Sequence, residues 1–184
     1  MAARVRRARR TTTLLAAVAL TLAACGAGAG SAPPAGRPAA STGPGGSPSA
    51  ALQASRDVVA GALGARRVVI DQPQLAYRPA ETGAFARAPR TVIQAVLPDD
   101  PTHGYIAIYE FRDPAAASAA AAEQAAYVGS PVGRVQFPTG TQFVIRVVGP
   151  TAVFYASPPD SPDDQEPDVV AALGGVGTDV PVPG

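Results

Sequence analysis

Lysine and tryptophan are absent from this chain of 184 residues, and cysteine, histidine and methionine occur once each. With Cys25 as the lone cysteine, no intrachain disulfide can form and no thiolate metal site can be assembled. His103 alone leaves a zinc site short of nitrogen ligands, so carboxylates would have to complete it. There is no Gly-x-Ser-x-Gly elbow to present a serine nucleophile. No glycine-rich loop opens a helix as a phosphate cradle requires; Gly174-Gly175-Val176-Gly177 follows a helical stretch instead. The acidic run Asp160, Asp163, Asp164, Glu166 and Asp168 lacks the spacing of a calcium-binding hand, and Pro158, Pro159, Pro162 and Pro167 stiffen it. The expected cofactor and metal content is therefore none, with these acids solvated or placed at a helix start.

Charge is distributed unevenly. All 15 basic residues are arginine, and five of them (Arg4, Arg6, Arg7, Arg9 and Arg10) precede Cys25. After Cys25 ten arginines face all 14 acidic residues, an excess of four acids. Binding to a phosphate backbone depends on clustered cations, so nucleic acid is not an expected partner.

What is present begins with the leader. Residues 1–10 are basic, and Thr11 to Leu22 form a short apolar run that includes Leu14, Leu15, Val18 and Leu20. A membrane span needs about 20 apolar residues, whereas a run of this length suits the core of a signal peptide. Leu22-Ala23-Ala24-Cys25-Gly26 then resembles the lipobox of bacterial lipoproteins. The resemblance covers residues 1–25 only. It implies cleavage before Cys25, lipidation of that thiol, and a membrane-anchored protein on the extracytoplasmic face of the cell envelope. In a cell with two membranes the outer one is equally open to it. Two acyl chains suffice for stable anchoring where one does not.

Residues 26–50 read as a tether: 7 Gly, 5 Pro, 7 Ala and 4 Ser, with Arg37 as the sole charge and no Leu, Ile, Val or aromatic residue. Such a segment cannot bury enough apolar surface to offset its ordering entropy. As a flexible coil it would reach about 25–30 Å. Residues 51–184 then suffice for one domain. Ser47-Pro48 or Ser49 begins a helix that presents Leu52, Val59 and Leu63 on one side and stops at Gly64. Residues 66–70 form a short strand, and 72–90 an irregular stretch broken by Pro73, Pro79, Gly83 and Pro89. TVIQAVL (91–97) and YIAIYEFR (105–112) are strands joined by a long polar tip. In the second, Tyr105, Ala107, Tyr109 and Phe111 share one face and Ile106, Ile108 and Glu110 the other, the pattern of a central strand. Asp113-Pro114 starts an alanine-rich helix to Val128. Residues 134–137 form a short strand, TQFVIRVV (141–148) and AVFYA (152–156) a hairpin, and 168–173 a last helix. This order predicts an α+β domain: an antiparallel β-sheet with helices packed mainly on one face. The expected core comprises Leu52, Leu63, Val92, Val96, Ile106, Ile108, Phe143, Ile145, Val147 and Phe154.

Few residues point to chemistry. His103 reads as a solvated residue at a hairpin tip, and Asp99-Asp100 as a turn pair. Glu110, in an apolar strand, is a candidate general acid, with cross-strand pairing to Arg146 or Arg112 as the structural reading. Tyr77, Tyr105, Tyr109 and Tyr155 are candidate ligand-binding residues; as alternating strand aromatics they also suit simple packing. The functional expectation is a non-catalytic module, tethered through Cys25, that binds an envelope protein or a small ligand. The alternative is a small envelope hydrolase using carboxylates such as Glu110.

Overall fold

The computed structural model describes residues 48–184 apart from Gln74. The leader (1–24), Cys25 and the tether as far as Ser47 lie outside the described residues. Among those described, no helix is long and apolar enough to cross a membrane.

Helix α1 (Ala50–Ala65) begins where Ser49 Oγ accepts from Leu52 N, which satisfies one of the amides a helix start leaves unpaired. Its buried residues are Leu52, Ser55, Val59 and Leu63, so the helical spacing read from the sequence is the face that packs. The helix continues through Gly64, and Arg67 rather than Gly64 adopts the left-handed conformation that turns the chain. Strand β1 is only Ile70–Asp71, shorter than the expected 66–70 and displaced from it. Within the irregular stretch a one-turn helix forms, α2 (Gly83–Arg87). Strands β2 (Arg90–Ala95) and β3 (Tyr105–Glu110) follow.

Asp113 caps α3 (Pro114–Gly129), accepting from Ala116 N at 2.7 Å with Pro114 in the first turn. The Ala116 amide, more than the neighbouring Arg112, holds the Asp113 carboxyl below its ordinary value. The short strand expected at 134–137 is not formed. Ser130 and Pro131 start a helical turn instead, α4 (Pro131–Arg134), with Ser130 Oγ accepting from Gly133 N. A Ser-Pro start supplies both a cap and a preset φ, and over four residues these outweigh strand propensity. Strands β4 (Gln142–Val148) and β5 (Thr151–Ser157) form the expected hairpin. Helix α5 (Glu166–Gly174) and β6 (Thr178–Asp179) complete the chain.

The six strands make one antiparallel sheet in the order β1-β2-β3-β5-β4-β6, and with the helices packed against it the domain is α+β. Strands β3 and β5 are central, as the two apolar faces of 105–110 required. The helical cover extends beyond one face. Helices α1 and α5 lie against Ile93, Ile106, Ile108, Val153 and Tyr155. Helix α3 lies against the opposite face, with Ala107, Tyr109, Ile145, Ala152 and Phe154. The reason is topological. β3 and β4 both run antiparallel to β5, hence parallel to each other, and joining them requires a crossover. α3 is that crossover and needs a face to itself. Of the expected core, Val96 is exposed and Val92 and Phe143 are half-buried; Leu97 takes the buried place beside Val96. β2 ends at Ala95, so the alternation of the strand does not carry through to Val96.

Candidate functional site

The β2–β3 connection is held in a fixed shape by its own polar groups. Gln94 Nε2 donates to the carbonyls of Pro101 and His103, both at 3.0 Å, and Ala95 N donates to Gly104 O. Gly104 has φ 83°, and a Cβ there would stand 2.3 Å from Ala95 O, so only glycine fits. A second segment reaches across. Asp163 Oδ2 accepts from Asp99 N at 2.9 Å, and Ser161 Oγ donates to Asp100 Oδ2 at 2.9 Å. Of the acidic run, Asp160 and Asp164 are exposed and Glu166 and Asp168 fall in the first turn of α5, as expected, whereas Asp163 is buried and not solvated. Asp163 and Ser161, with the buried Asp100, form the polar clasp between the hairpin tip and the segment before α5.

The clasp orients His103. Its Nδ1 lies 2.5 Å from Asp100 Oδ1, and the imidazole remains about half exposed while Asp100 is buried. A carboxylate on Nδ1 fixes the ring and leaves Nε2 for an external partner. Ser161 bonds to Asp100 and not to the imidazole, so this is not a nucleophile-base relay.

A second wall is the segment 77–81. Gln124, fully buried on α3, donates to Ala80 O and accepts from Thr82 N, both at 2.8 Å. Glu81, whose side chain is 3 % exposed, accepts from Arg78 Nε at 2.7 Å, Arg90 Nη1 at 2.8 Å and Tyr109 Oη at 2.7 Å. Arg78 Nη2 also donates to Ala86 O. The hydrogen bond to Glu81 raises the Arg78 guanidinium above its ordinary value. Tyr77 stacks on Tyr105 with ring centroids 4.7 Å apart and planes 9° from parallel. Burial, then the nearby Glu81 and Tyr105, pushes the Tyr77 phenol up to about 12.

The third wall is the turn from α4 to β4. Phe137 meets Phe143 edge-on at 4.8 Å, and Thr141 closes the turn by donating from both N and Oγ1 to Pro138 O. Between the three walls lies a cleft of about 260 Å³, lined by Tyr77, Arg78, His103, Phe137, Thr141 and Ala156 among others. Larger clefts adjoin it, of about 390 Å³ beside Phe137 and Arg134 and about 510 Å³ beside Pro158 and Asp163. The smallest of the three is where aromatic rings, a guanidinium and an oriented imidazole converge.

The four tyrosines do not share one cleft wall. Tyr77 and Tyr105 stack at the cleft. Tyr109 packs against Phe85 at 4.4 Å with its hydroxyl on Glu81. Tyr155 lies in the core of the α1/α5 face and donates to both carboxylate oxygens of Glu166, at 2.7 and 2.6 Å. Burial, then hydrogen bonding to these carboxylates, raises both Tyr109 and Tyr155 far above the ordinary phenol value. Glu110 pairs with neither arginine. It accepts from Ser49 Oγ at 2.6 Å, while Arg146 binds Asp179 and the carbonyls of Val176 and Gly177, and Arg112 binds Asp113. Cys25 lies outside the described residues. Among the described residues no group of three or more histidine, cysteine or acidic side chains is arranged to hold a metal ion.

Sequence reasoning missed Glu81, Arg78 and Gln124 as site builders. The available signal was Tyr77-Arg78-Pro79-Ala80-Glu81 in a connection too long to be plain. His103 was singled out but read as a bare turn residue, since nothing local reveals a carboxylate clamped by residues 161–163. The chain matches no family model, and neither the curated proteins nor the solved structures contain a significant match to it.

Proposed function

We propose that this protein is a membrane-anchored binding module of the cell envelope, tethered through lipidated Cys25 and taking a small ligand in the cleft between residues 77–80, His103 and 136–141. The observation that carries this reading is the Asp100-oriented imidazole lining the same cleft as Tyr77, whose ring stacks on the buried Tyr105. Polar groups convergent on an apolar concavity are the usual form of a small-molecule site, and the volume of about 260 Å³ suits a compact ligand. The walls are pinned by buried groups (Gln94, Gln124, Asp100), so the site is preorganised. For the tether, the support is the leader and lipobox pattern together with a Gly/Pro/Ala/Ser stretch whose only charge is Arg37.

Hydrolysis through Glu110 has less behind it. That carboxylate anchors the Ser49 cap of α1, a structural task. A two-part experiment tests the reading. Intact mass of the membrane-extracted chain is expected to show a diacylglyceryl-modified Cys25 as the first residue. Two-dimensional NMR against a small-fragment library is expected to move the amides of residues 77–80, 103 and 136–141 together. Shifts confined to another surface would move the site, and an unmodified Cys25 would remove the anchor.

A further inference from the structure

We propose that the ligand of this cleft is a small organic anion, an aromatic or otherwise flat apolar body carrying one carboxylate-like group; this rests on the cleft reading above. The charges facing the cleft support it. On the 77–81 side, two guanidiniums (Arg78 and Arg90) share the single carboxylate of Glu81, leaving one positive charge uncompensated at that wall. Arg78 spends Nε on Glu81 and Nη2 on Ala86 O, and its Nη1 makes no hydrogen bond among the described residues. Across the cleft, His103 spends Nδ1 on Asp100, and its Nε2 is likewise unengaged among the described residues. The turn 136–141 carries no charge. The acids near His103 are already engaged: Asp100 by His103 and Ser161, and Asp163 by the amides of Asp99 and Gln165. An unengaged guanidinium nitrogen, and an imidazole nitrogen that donates when the ring is protonated, thus belong to residues that line a cleft with Tyr77, Phe137, Pro138 and Ala156. An anion would accept from Arg78 Nη1 and from protonated His103 Nε2, while its apolar body lies between Tyr77 and Phe137. A cation finds no free acceptor of comparable strength there. This arrangement sits in a chain whose portion after Cys25 is net acidic, so the local cation is a departure from the surface as a whole.

Calorimetric titration of the full chain, extracted in detergent, with 1-naphthoate and with its uncharged isostere 1-naphthamide tests the proposal, with chain-free micelles subtracted. Naphthoate is expected to bind about tenfold more tightly than the amide, the effect of one or two charge-assisted hydrogen bonds. Its affinity is expected to rise as the pH is lowered from about 8 to about 5.5, the range in which histidine side chains take up a proton. Arg78→Gln should abolish most of the preference for the anion, and His103→Gln should abolish the pH dependence. The His103 imidazole is half exposed and its close side-chain hydrogen bond is to Asp100, so that second variant keeps the test clean should Arg78→Gln disturb Glu81. Equal affinity for both probes, or a preference that survives both variants, overturns the anion while leaving a ligand cleft in place. Failure of both probes to bind the wild-type chain overturns the cleft reading and this inference with it.

Discussion

On the α1/α5 face the large side chains come from the helices: Leu52, Val59 and Leu63 from one, Val169 and Leu173 from the other, meeting Ile93, Ile106, Ile108 and Val153 on the strands. On the α3 face the helix contributes mainly methyl groups (Ala117, Ala120, Ala121, Ala125), with Val128 and Tyr127 near its end, and most of the bulk comes from rings elsewhere, Phe85, Tyr109, Phe137, Phe143 and Phe154. Each face also carries a tyrosine–carboxylate pair, and these differ in the same sense. Tyr155 is the sole side-chain partner of Glu166 among the described residues, in a closed core. Tyr109 shares Glu81 with two arginines that reach solvent. The first face is filled by long side chains from two helices and serves stability. The second is filled by parts that arrive from several loops, and loops that meet over a sheet leave a cleft between them. That is where the candidate site lies.

The sharpest way to break this contrast is to truncate the α1/α5 face. Leu63→Ala is expected to cost about 2–5 kcal/mol in urea unfolding, since the side chain is fully buried and the cavity cannot collapse. On the other face the complementary change is enlargement. Ala121→Leu should cost about 1–3 kcal/mol, because Ala121 is fully buried where α3 meets the sheet mainly through small side chains. A neutral result there would mean that α3 does not lie close. Next come the two hydroxyls. Tyr155→Phe leaves the buried carboxylate of Glu166 without its side-chain donor and should cost about 1–3 kcal/mol. Tyr109→Phe should cost less, because Glu81 keeps Arg78 and Arg90; the reverse order would contradict the comparison. Ser49→Ala is expected to cost about 1 kcal/mol through loss of the α1 cap.

A further prediction concerns pH. Tyr77 titrates at about 12 when folded and near 10 when unfolded. Between those values the folded state binds more protons, so stability falls as pH rises. The contribution is complete below about pH 10 and is lost by about pH 12. Tyr77→Phe should flatten that part of the alkaline unfolding curve and leave the acid side unchanged.

Much of the fold was legible because it depends on local pattern. The periodicity of Leu52, Val59 and Leu63, the Asp113-Pro114 start and the two-sided apolar character of residues 105–110 each report a nearest-neighbour constraint, and each reappears in the structure. The misreadings share the opposite cause. Residues 134–137 are apolar enough for a strand, but the Ser130-Pro131 start lies upstream of them. Glu110 was expected beside an arginine, yet its partner is Ser49, 61 residues away. The candidate site was legible in fragments: Tyr77, Tyr105 and His103 stood out by residue type. That Asp100 would orient His103 depends on Ser161 and Asp163, over 60 residues away for both contacts, and no spacing rule encodes that.

The sequence by itself determined the α+β class, and it carries the patterns on which the proposed leader, lipobox and tether rest, because each is a property of consecutive residues: charge, apolar run, residue size and periodicity. The tertiary structure alone decided that α3 takes its own face, that Ser161 and Asp163 clasp a hairpin tip, and that Arg78, His103 and Phe137 border one cleft. These follow from chain crossing and long-range hydrogen bonding, whose partners become neighbours only once the sheet has closed.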